Sequence, residues 1–274
     1  VTSFADLHIH SHFSDSTLSP RDIVRLALEA HLAAVAITDH DTTDAIPEAR
    51  LAAEGLPLEV IAGVELSAEI HEKDVHMLGY FLDCDNAVLK KELEKMRHVR
   101  LERIEAMVKK LETQGIDNLQ AQEVFDLAKS DAVGRMHLAT ALKQKGAVSS
   151  ISEAFEKYIG EDCPAYVKKF KISPYDAIAL IRQAGGVAVL AHPMVTGKDE
   201  LLPSLVEAGL GGMEVYYPNC SQAIVHFYEG LARKYRLVAT GGSDAHGEAK
   251  TNTFIGKVRL PYEKVEELKA AIKH

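Results

Sequence analysis

One local arrangement occurs twice in this chain and restricts what it can fold into. Ser19-Pro20-Arg21-Asp22 carries a helix start: Ser is a natural N-cap, Pro fits the first turn, and Asp three residues after Ser completes a capping box. Ile23, Leu26, Ala27 and Ala30 follow at helical spacing, and an apolar run over 33–38 then ends in Asp39-His40. Ser173-Pro174-Tyr175-Asp176 opens a second such helix. Gly185-Gly186 closes it, and the apolar run 187–191 ends in His192. Each copy reads as helix, tight turn, buried strand, polar residue. Helices alternating with wholly apolar strands predict a parallel sheet.

Other strand-sized runs end in the same way. Residues 5–9 carry His8 and His10, 60–64 lead into Glu65, and 213–217 run towards Asn219. The run 237–240 passes through Gly241-Gly242-Ser243 into Asp244 and His246, whereas 75–82 carries His76 near its start, the wrong end for the scheme. This many strands imply a barrel or a wide open sheet, and in a barrel the chemistry gathers at the carboxyl ends of the strands. From about residue 86 to 159 the pattern holds helices only. Leu89, Leu93, Met96, Ile104, Met107 and Leu111 mark one face of a long helix that stops at Gly115. Shorter helices are expected over 119–129, 134–145 and 152–159, which together predict a small helical domain inserted between barrel elements.

The chain has 13 histidines among 274 residues, and their positions matter more than their number. His8-Ile9-His10 places two imidazoles on one side of an extended strand. Two strand histidines alone are commonplace. Adding Asp15, His40, Glu65, His76, His192, Asp244 and His246 gives nine nitrogen or oxygen donors at or near predicted strand ends. Imidazole with carboxylate suits Mn, Fe or Zn, and a shared carboxylate can bridge two ions. No apolar run is long enough to span a bilayer, and a formal charge of −9 argues against a general nucleic-acid coat. Cys84, Cys163 and Cys220 are odd in number and scattered, which points to a reducing compartment, the cytoplasm.

These residues fall in motifs that resemble a known family. His8-Ile9-His10-Ser11-His12-Phe13-Ser14-Asp15, Ile37-Thr38-Asp39-His40-Asp41 and Gly63-Val64-Glu65 look like successive signatures of the polymerase-and-histidinol-phosphatase (PHP) family. Val75-His76-Met77-Leu78-Gly79-Tyr80, Leu190-Ala191-His192-Pro193 and Gly242-Ser243-Asp244-Ala245-His246-Gly247 continue the match in the family's order. The likeness is nearest to the TrpH/YciV-like branch of stand-alone phosphoesterases. It implies an α/β fold, a distorted (β/α)7 barrel formed by residues 1–85 and 166–274, with residues 86–165 as a small all-helical insertion domain. It also implies three divalent ions, manganese foremost, with iron or zinc as alternatives. His8, His10, Glu65 and Asp244 would hold the first; Glu65 would bridge to a second, completed by His76 and His192; Asp15, His40 and His246 would hold the third. Ala45 and Ala245 stand where the family commonly has Gly and Phe, which bears on pocket shape and not on the ligands.

Such a centre leaves the pocket positive and suits phosphate chemistry, with the ions activating a hydroxide for in-line displacement. Arg135 and His137 begin the helix 134–145, where free N–H groups beside a guanidinium make an anion site; the resemblance also points to them as substrate-phosphate contacts. Arg100 interrupts the apolar stripe of the long helix and either faces the site or pairs with a neighbour; Lys168 and Lys169 are further phosphate candidates. The expected activity is metal-dependent phosphoester hydrolysis of a small phosphorylated substrate. The leading expectation is a nucleoside 3′,5′-bisphosphate losing its 3′-phosphate. A 5′-to-3′ exoribonuclease on short 5′-phosphorylated RNA is the alternative. Histidinol phosphatase and a non-catalytic PHP binding module rank lower. The sequence implies no protein partner and identifies no general acid.

Overall fold

The structure, a computed structural model, describes residues 3–128, 133–168, 171–250 and 252–272. The chain forms two compact units, Val1–Lys91 with Lys171–His274, and Glu92–Phe170.

In the first unit the two helix starts form as their sequences dictate. Ser19 Oγ accepts from Asp22 N at 3.1 Å ahead of helix Pro20–Glu29, and Ser173 Oγ accepts from Asp176 N at 3.1 Å ahead of helix Pro174–Gln183. The acidic side chain of each box accepts a hydrogen bond from the Ser hydroxyl (2.6 and 2.7 Å), which fixes the cap rotamer. Eight strands follow the apolar runs: β1 Phe4–Ile9, β2 Ala34–Ile37, β3 Glu59–Ile70, β4 Lys73–Tyr80, β5 Val187–Leu190, β6 Gly212–Tyr216, β7 Val238–Gly241 and the two-residue β8 Leu260–Pro261. Their order is β7-β6-β5-β4-β3-β2-β1-β8. β1, β2 and β3 run parallel, as do β5, β6 and β7; β4 is antiparallel to both its neighbours and β8 to β1.

The chain just past β7 returns to β1 through a parallel bridge between Ile9 and Ala245, with His10 N donating to Ala245 O at 3.0 Å, so the barrel is nearly closed. Gly242 stands at this crossing, where a Cβ would overlap the His8 backbone. The expected α/β barrel is therefore present, with one of its seven strands reversed and β8 added. The reversal starts at His71-Glu72, a two-residue hairpin turn with φ of 48° and 61°. Leu7, Ala34, Ala36, Ile61, Leu78, Tyr80 and Val189 form one buried cluster of the barrel. A second joins Ile9, Val35 and Ile37 to Ile23, Ala27, Ile46 and Ala49, and so seats helices Pro20–Glu29 and Ala45–Ala52 on the sheet.

Helix Ala87–Glu112 is capped by Asn86 Oδ1, which accepts from Val88 and Leu89 N at 3.1 Å each. In the second unit helices Ala121–Leu127, Arg135–Gln144 and Ile151–Ala154 follow, the last continuing as a π-helical turn, Phe155–Ile159. Residue 129, expected in the first of these, lies outside the described residues. Ile104, Met107, Leu111, Val124, Leu138, Leu142 and Ile159 make this unit's own core. Among the described residues no helix is long and apolar enough to cross a membrane.

Candidate metal centre

The nine histidine, aspartate and glutamate residues form one cluster in which the imidazoles of His8, His10, His40, His76 and His192 surround the Glu65 carboxylate. His8 Nε2 of β1 and His10 Nε2 just past its end lie 3.1 Å from one another and 3.3 and 3.2 Å from Glu65 Oε2. Asp244 Oδ1 completes this group at 3.6 and 3.3 Å from the same two nitrogens. The other oxygen of Glu65, Oε1, faces His76 Nδ1 at 2.7 Å and His192 Nε2 at 3.1 Å. Asp15 gathers the remainder: Oδ1 is 3.2 Å from His246 Nε2 and Oδ2 is 3.7 Å from His40 Nε2. The donor atoms of His8, His10 and Glu65, of His40, Glu65 and His76, and of His10, Asp15, His40 and His246 each lie within 4.8 Å of one another. His40 and His10 each belong to two of these groups, so the partition is less sharp than the motif order implies. His12, which the sequence reading leaves out, stacks on Phe13.

Charge in this cluster is balanced only with an added cation or added protons. Burial pulls the His8 ring down, but Glu214, Glu65 and Asp244 outweigh it and hold the ring well above the usual imidazole range. His10 is likewise carried up to about 10 by Asp244, Glu65 and Asp15 against burial. Burial and the neighbouring His10 and His76 push His40 down to about 3 against the pull of Glu65 and Asp15. Asp15, Glu65 and Asp244 all sit far below the ordinary carboxylate range, because the imidazoles around them outweigh burial. His40 Nδ1 and His192 Nδ1 are buried without a hydrogen-bond partner among the described residues. Convergent nitrogen and oxygen donors and surplus negative charge fit divalent cations.

Around this cluster sits a set of acids that sequence reasoning passes over. Asp39 is buried and accepts from Ser11 N, Ser11 Oγ and Ser14 Oγ (2.7, 2.6 and 2.5 Å), fixing the loop that carries Asp15. Asp6, pushed up to about 6 by burial against its hydrogen bonds, accepts from Ser243 N and Gly256 N at 2.8 Å each and ties down the Asp244 loop. Glu214 of β6 lies 2.9 Å from His8 Nδ1 and accepts from His192 N at 2.9 Å. Asp244 Oδ2 is held by Tyr217 Oη at 2.7 Å and Lys250 Nζ at 2.6 Å. The detectable signal for Asp6 and Glu214 is an acid inside an otherwise apolar strand, which must have a buried partner. Asp41, His192 and Asp244, just past β2, β5 and β7, take φ of 55°, 25° and 49°. Such backbone strain collects at functional sites.

The expected phosphate contacts belong to the helical unit. Arg135 stacks its guanidinium over the Phe155 and Tyr166 rings (5.4 and 5.5 Å) and donates to Ile159 O at 3.4 Å. His137 Nδ1 accepts from Gly134 N at 3.1 Å, capping the helix that Arg135 begins. Arg103 also lies over Tyr166 and donates to Val167 O; burial, then Arg135, pushes it down to about 10. Arg100 is half-buried and Lys168 exposed, while Lys169 lies outside the described residues.

The PHP domain profile matches residues 6–162. The chain is 34% identical over 254 residues to a 5′-3′ exoribonuclease of Haemophilus influenzae, covering 90% of this chain and 91% of that one. It is 32% identical over 259 residues to a 3′,5′-nucleoside bisphosphate phosphatase of Chromobacterium violaceum, covering 92% and 90%. A solved structure from Bifidobacterium adolescentis, assigned as a metal-dependent phosphoesterase, superposes with a TM-score of 0.85 at 31% identity over 97% of this chain and 96% of that one. With its α/β barrel and converging donor cluster, the chain belongs to the PHP domain family and is a metal-dependent phosphoesterase, a hydrolase.

Proposed function

We propose that the nine clustered residues hold three divalent ions, manganese foremost with iron or zinc as alternatives, and that the enzyme removes the 3′-phosphate of a nucleoside 3′,5′-bisphosphate. The observation that carries the metal reading is the division of labour on Glu65, whose Oε1 faces His76 and His192 while Oε2 faces His8, His10 and His40. On this reading His8, His10, Glu65 and Asp244 hold one ion, Glu65, His76 and His192 a second, and Asp15, His40 and His246 a third. Divalent ions bound there lower the pKa of water and offset charge on phosphoryl oxygens.

The chain's own residues do the rest. Glu65, almost wholly buried, would span two ion positions without a competing solvent contact. His8 and His10 would give up their excess protons to an entering cation, which would couple loading to pH. Arg135 and His137 are the proposed contacts to the second, non-reacting phosphate, with Arg100, Lys168 and Lys169 as weaker candidates. Support comes from the guanidinium held by two rings at the start of a ten-residue helix, Arg135–Gln144. Binding energy from the remote phosphate would align the reacting one. Three free cysteines support a reducing, cytoplasmic setting.

The exoribonuclease reading stands second, because relatives of both activities match at nearly equal identity over most of the chain. The same centre could cleave a 3′-phosphodiester beside a 5′-phosphate. The test is kcat/KM of metal-loaded protein on adenosine 3′,5′-bisphosphate, adenosine 3′-monophosphate, histidinol phosphate and a short 5′-phosphorylated RNA. The bisphosphate is expected to lead. Superior turnover of the RNA, with mononucleotides released from its 5′ end, would put the exoribonuclease first. Preference for histidinol phosphate would reject both.

A further inference from the structure

Strand β6 supplies none of the nine proposed ligands, yet a carboxylate stands in its middle with no solvent contact. Glu214 is 0% exposed. Burying such a group is unfavourable unless donors satisfy it, and here both oxygens are used. Oε1 lies 2.9 Å from His8 Nδ1, and Oε2 accepts from the His192 main-chain N at 2.9 Å. The opposite nitrogen of His8, Nε2, is the one that faces His10 Nε2 at 3.1 Å, Glu65 Oε2 at 3.3 Å and Asp244 Oδ1 at 3.6 Å. A neutral imidazole carries one proton. An acceptor at Nδ1 places it there and leaves the Nε2 lone pair free for a cation. The second hydrogen bond acts at His192, where the chain turns through φ 25° at the end of β5 and the ring reaches Glu65 Oε1 at 3.1 Å. Tyr80, a neighbour in the barrel core, donates its hydroxyl hydrogen bond to Leu7 O at 2.8 Å and so leaves Glu214 to these two donors.

We propose that Glu214 is a positioning residue that sets the tautomer of His8 and the backbone of His192 together, and so couples the first and second ion positions through one buried carboxylate. This rests on the assignment of His8 and His192 as ligands. The isosteric change Glu214→Gln separates positioning from packing. Two N–H groups point at this side chain, and Gln offers a single oxygen. The backbone N–H of His192 cannot tautomerise, so it takes that oxygen, and the Gln NH2 is left facing His8 Nδ1. His8 must then accept at Nδ1 and carry its proton on Nε2, the atom that faces the ions.

The experiment is manganese titration of metal-free wild type, Glu214→Gln and His8→Ala by calorimetry, with thermal unfolding of each metal-free protein. Long-range proton–nitrogen spectra of the zinc-loaded wild type read the His8 tautomer. Expected is a fall in affinity of about 10- to 100-fold for Glu214→Gln at the sites that His8→Ala also weakens, with the metal-free Tm held or raised, and a proton on His8 Nδ1 in the zinc form. Unchanged manganese affinity in Glu214→Gln overturns the proposal, and so does a fall in affinity at all sites alike accompanied by a lowered metal-free Tm, which marks a merely structural role. Should the variant not fold, an unprotonated His8 Nδ1 in the zinc-loaded wild type overturns it alone. If the wild type itself takes up no manganese or zinc, the ligand assignment fails first and this inference with it.

Discussion

Glu65 Oε1 stands 2.7 Å from His76 Nδ1, although the two residues are not opposite one another in the β3–β4 ladder. The register pairs Glu65 with Leu78 and Ser67 with His76, so the contact is a diagonal one across an antiparallel pair, which long side chains can span. Because β4 is reversed, its beginning lies beside the end of β5, with Ala191 N donating to His76 O at 3.0 Å just before His192. One shared carboxylate therefore reaches imidazoles on or just past four strands, β1, β2, β4 and β5. Glu65→Gln is expected to lower metal content by more than one ion per chain, whereas His40→Ala lowers it by about one. Elemental analysis after reconstitution with manganese decides; equal losses in the two variants would remove Glu65 from the bridging role proposed for it.

The helix caps and the parallel strands were legible because each has a local cause. Ser19 and Ser173 cap the helices they announce, and the apolar runs ending at His40 and His192 are strands or strand ends. The direction of β4 was not legible, since a reversed strand has the same composition as a forward one. Only the misplacement of His76 hinted at it. β8 has two residues, one of them Pro, and exists through pairing with β1 that no local pattern encodes. The convergence of His8, Glu65 and Asp244 follows from motif order, but their braces do not. Glu214 interrupts the run 213–217 and reads as a weak strand position until its partners, 206 residues away at His8 and 22 away at His192, are in place.

The metal-free protein should respond to alkali in a defined direction. His10 is held up at about 10, above its ordinary value of 6.5. Its protonated form therefore contributes stability that is fully present below the unfolded pKa and is lost as pH rises through about 10. A bound cation takes over the role of that proton. Thermal unfolding is expected to show the metal-free form weakening between neutral pH and about 10, with the manganese form unaffected over the same range. Calorimetry in buffers of different ionisation enthalpy should register protons released on metal binding. No proton release near neutral pH would contradict the charge balance drawn for this cluster.

Asp244 is clamped from outside the cluster. Its Oδ1 faces His8 and His10 while Oδ2 receives Tyr217 Oη and Lys250 Nζ, so the carboxylate cannot rotate to offer both oxygens inward. Burial, then Asp244, keeps the Tyr217 hydroxyl far above the usual phenol range, and it remains a donor at every working pH. Tyr217→Phe is expected to raise the manganese concentration needed for half-maximal activity by roughly tenfold, with KM for substrate little changed. A change in KM alone would place Tyr217 on the substrate instead.

The helical unit has a core of its own, and its stability can be tested apart from the metals. Leu138 is wholly buried among Leu111, Val124 and Leu142 in that core. Leu138→Ala leaves a cavity and is expected to cost about 2–5 kcal/mol. Urea unfolding followed by far-ultraviolet dichroism measures the loss, while metal content per chain should stay at the wild-type value. Loss of metal in this variant would show that the barrel's donor cluster depends on the packing of residues 92–170.

Arg135 offers the sharpest separation between the readings of substrate. A guanidinium lying over Phe155 and Tyr166 is partly a packing element, so its removal can act through structure or through lost phosphate binding. The two differ in which substrates they affect. Losing a phosphate contact penalises only a substrate that carries the second phosphate, by about 2–5 kcal/mol where the contact is buried and paired. Arg135→Ala is therefore expected to reduce kcat/KM for adenosine 3′,5′-bisphosphate by roughly 30-fold or more, while adenosine 3′-monophosphate, already lacking the remote group, changes little. Arg135→Lys should recover part of the loss, because charge survives and the flat bidentate fork does not. Metal content should be unaltered in both variants. Equal reductions on both substrates would reduce Arg135 to a structural prop of the two rings, and the source of bisphosphate preference would then have to be sought at the barrel itself.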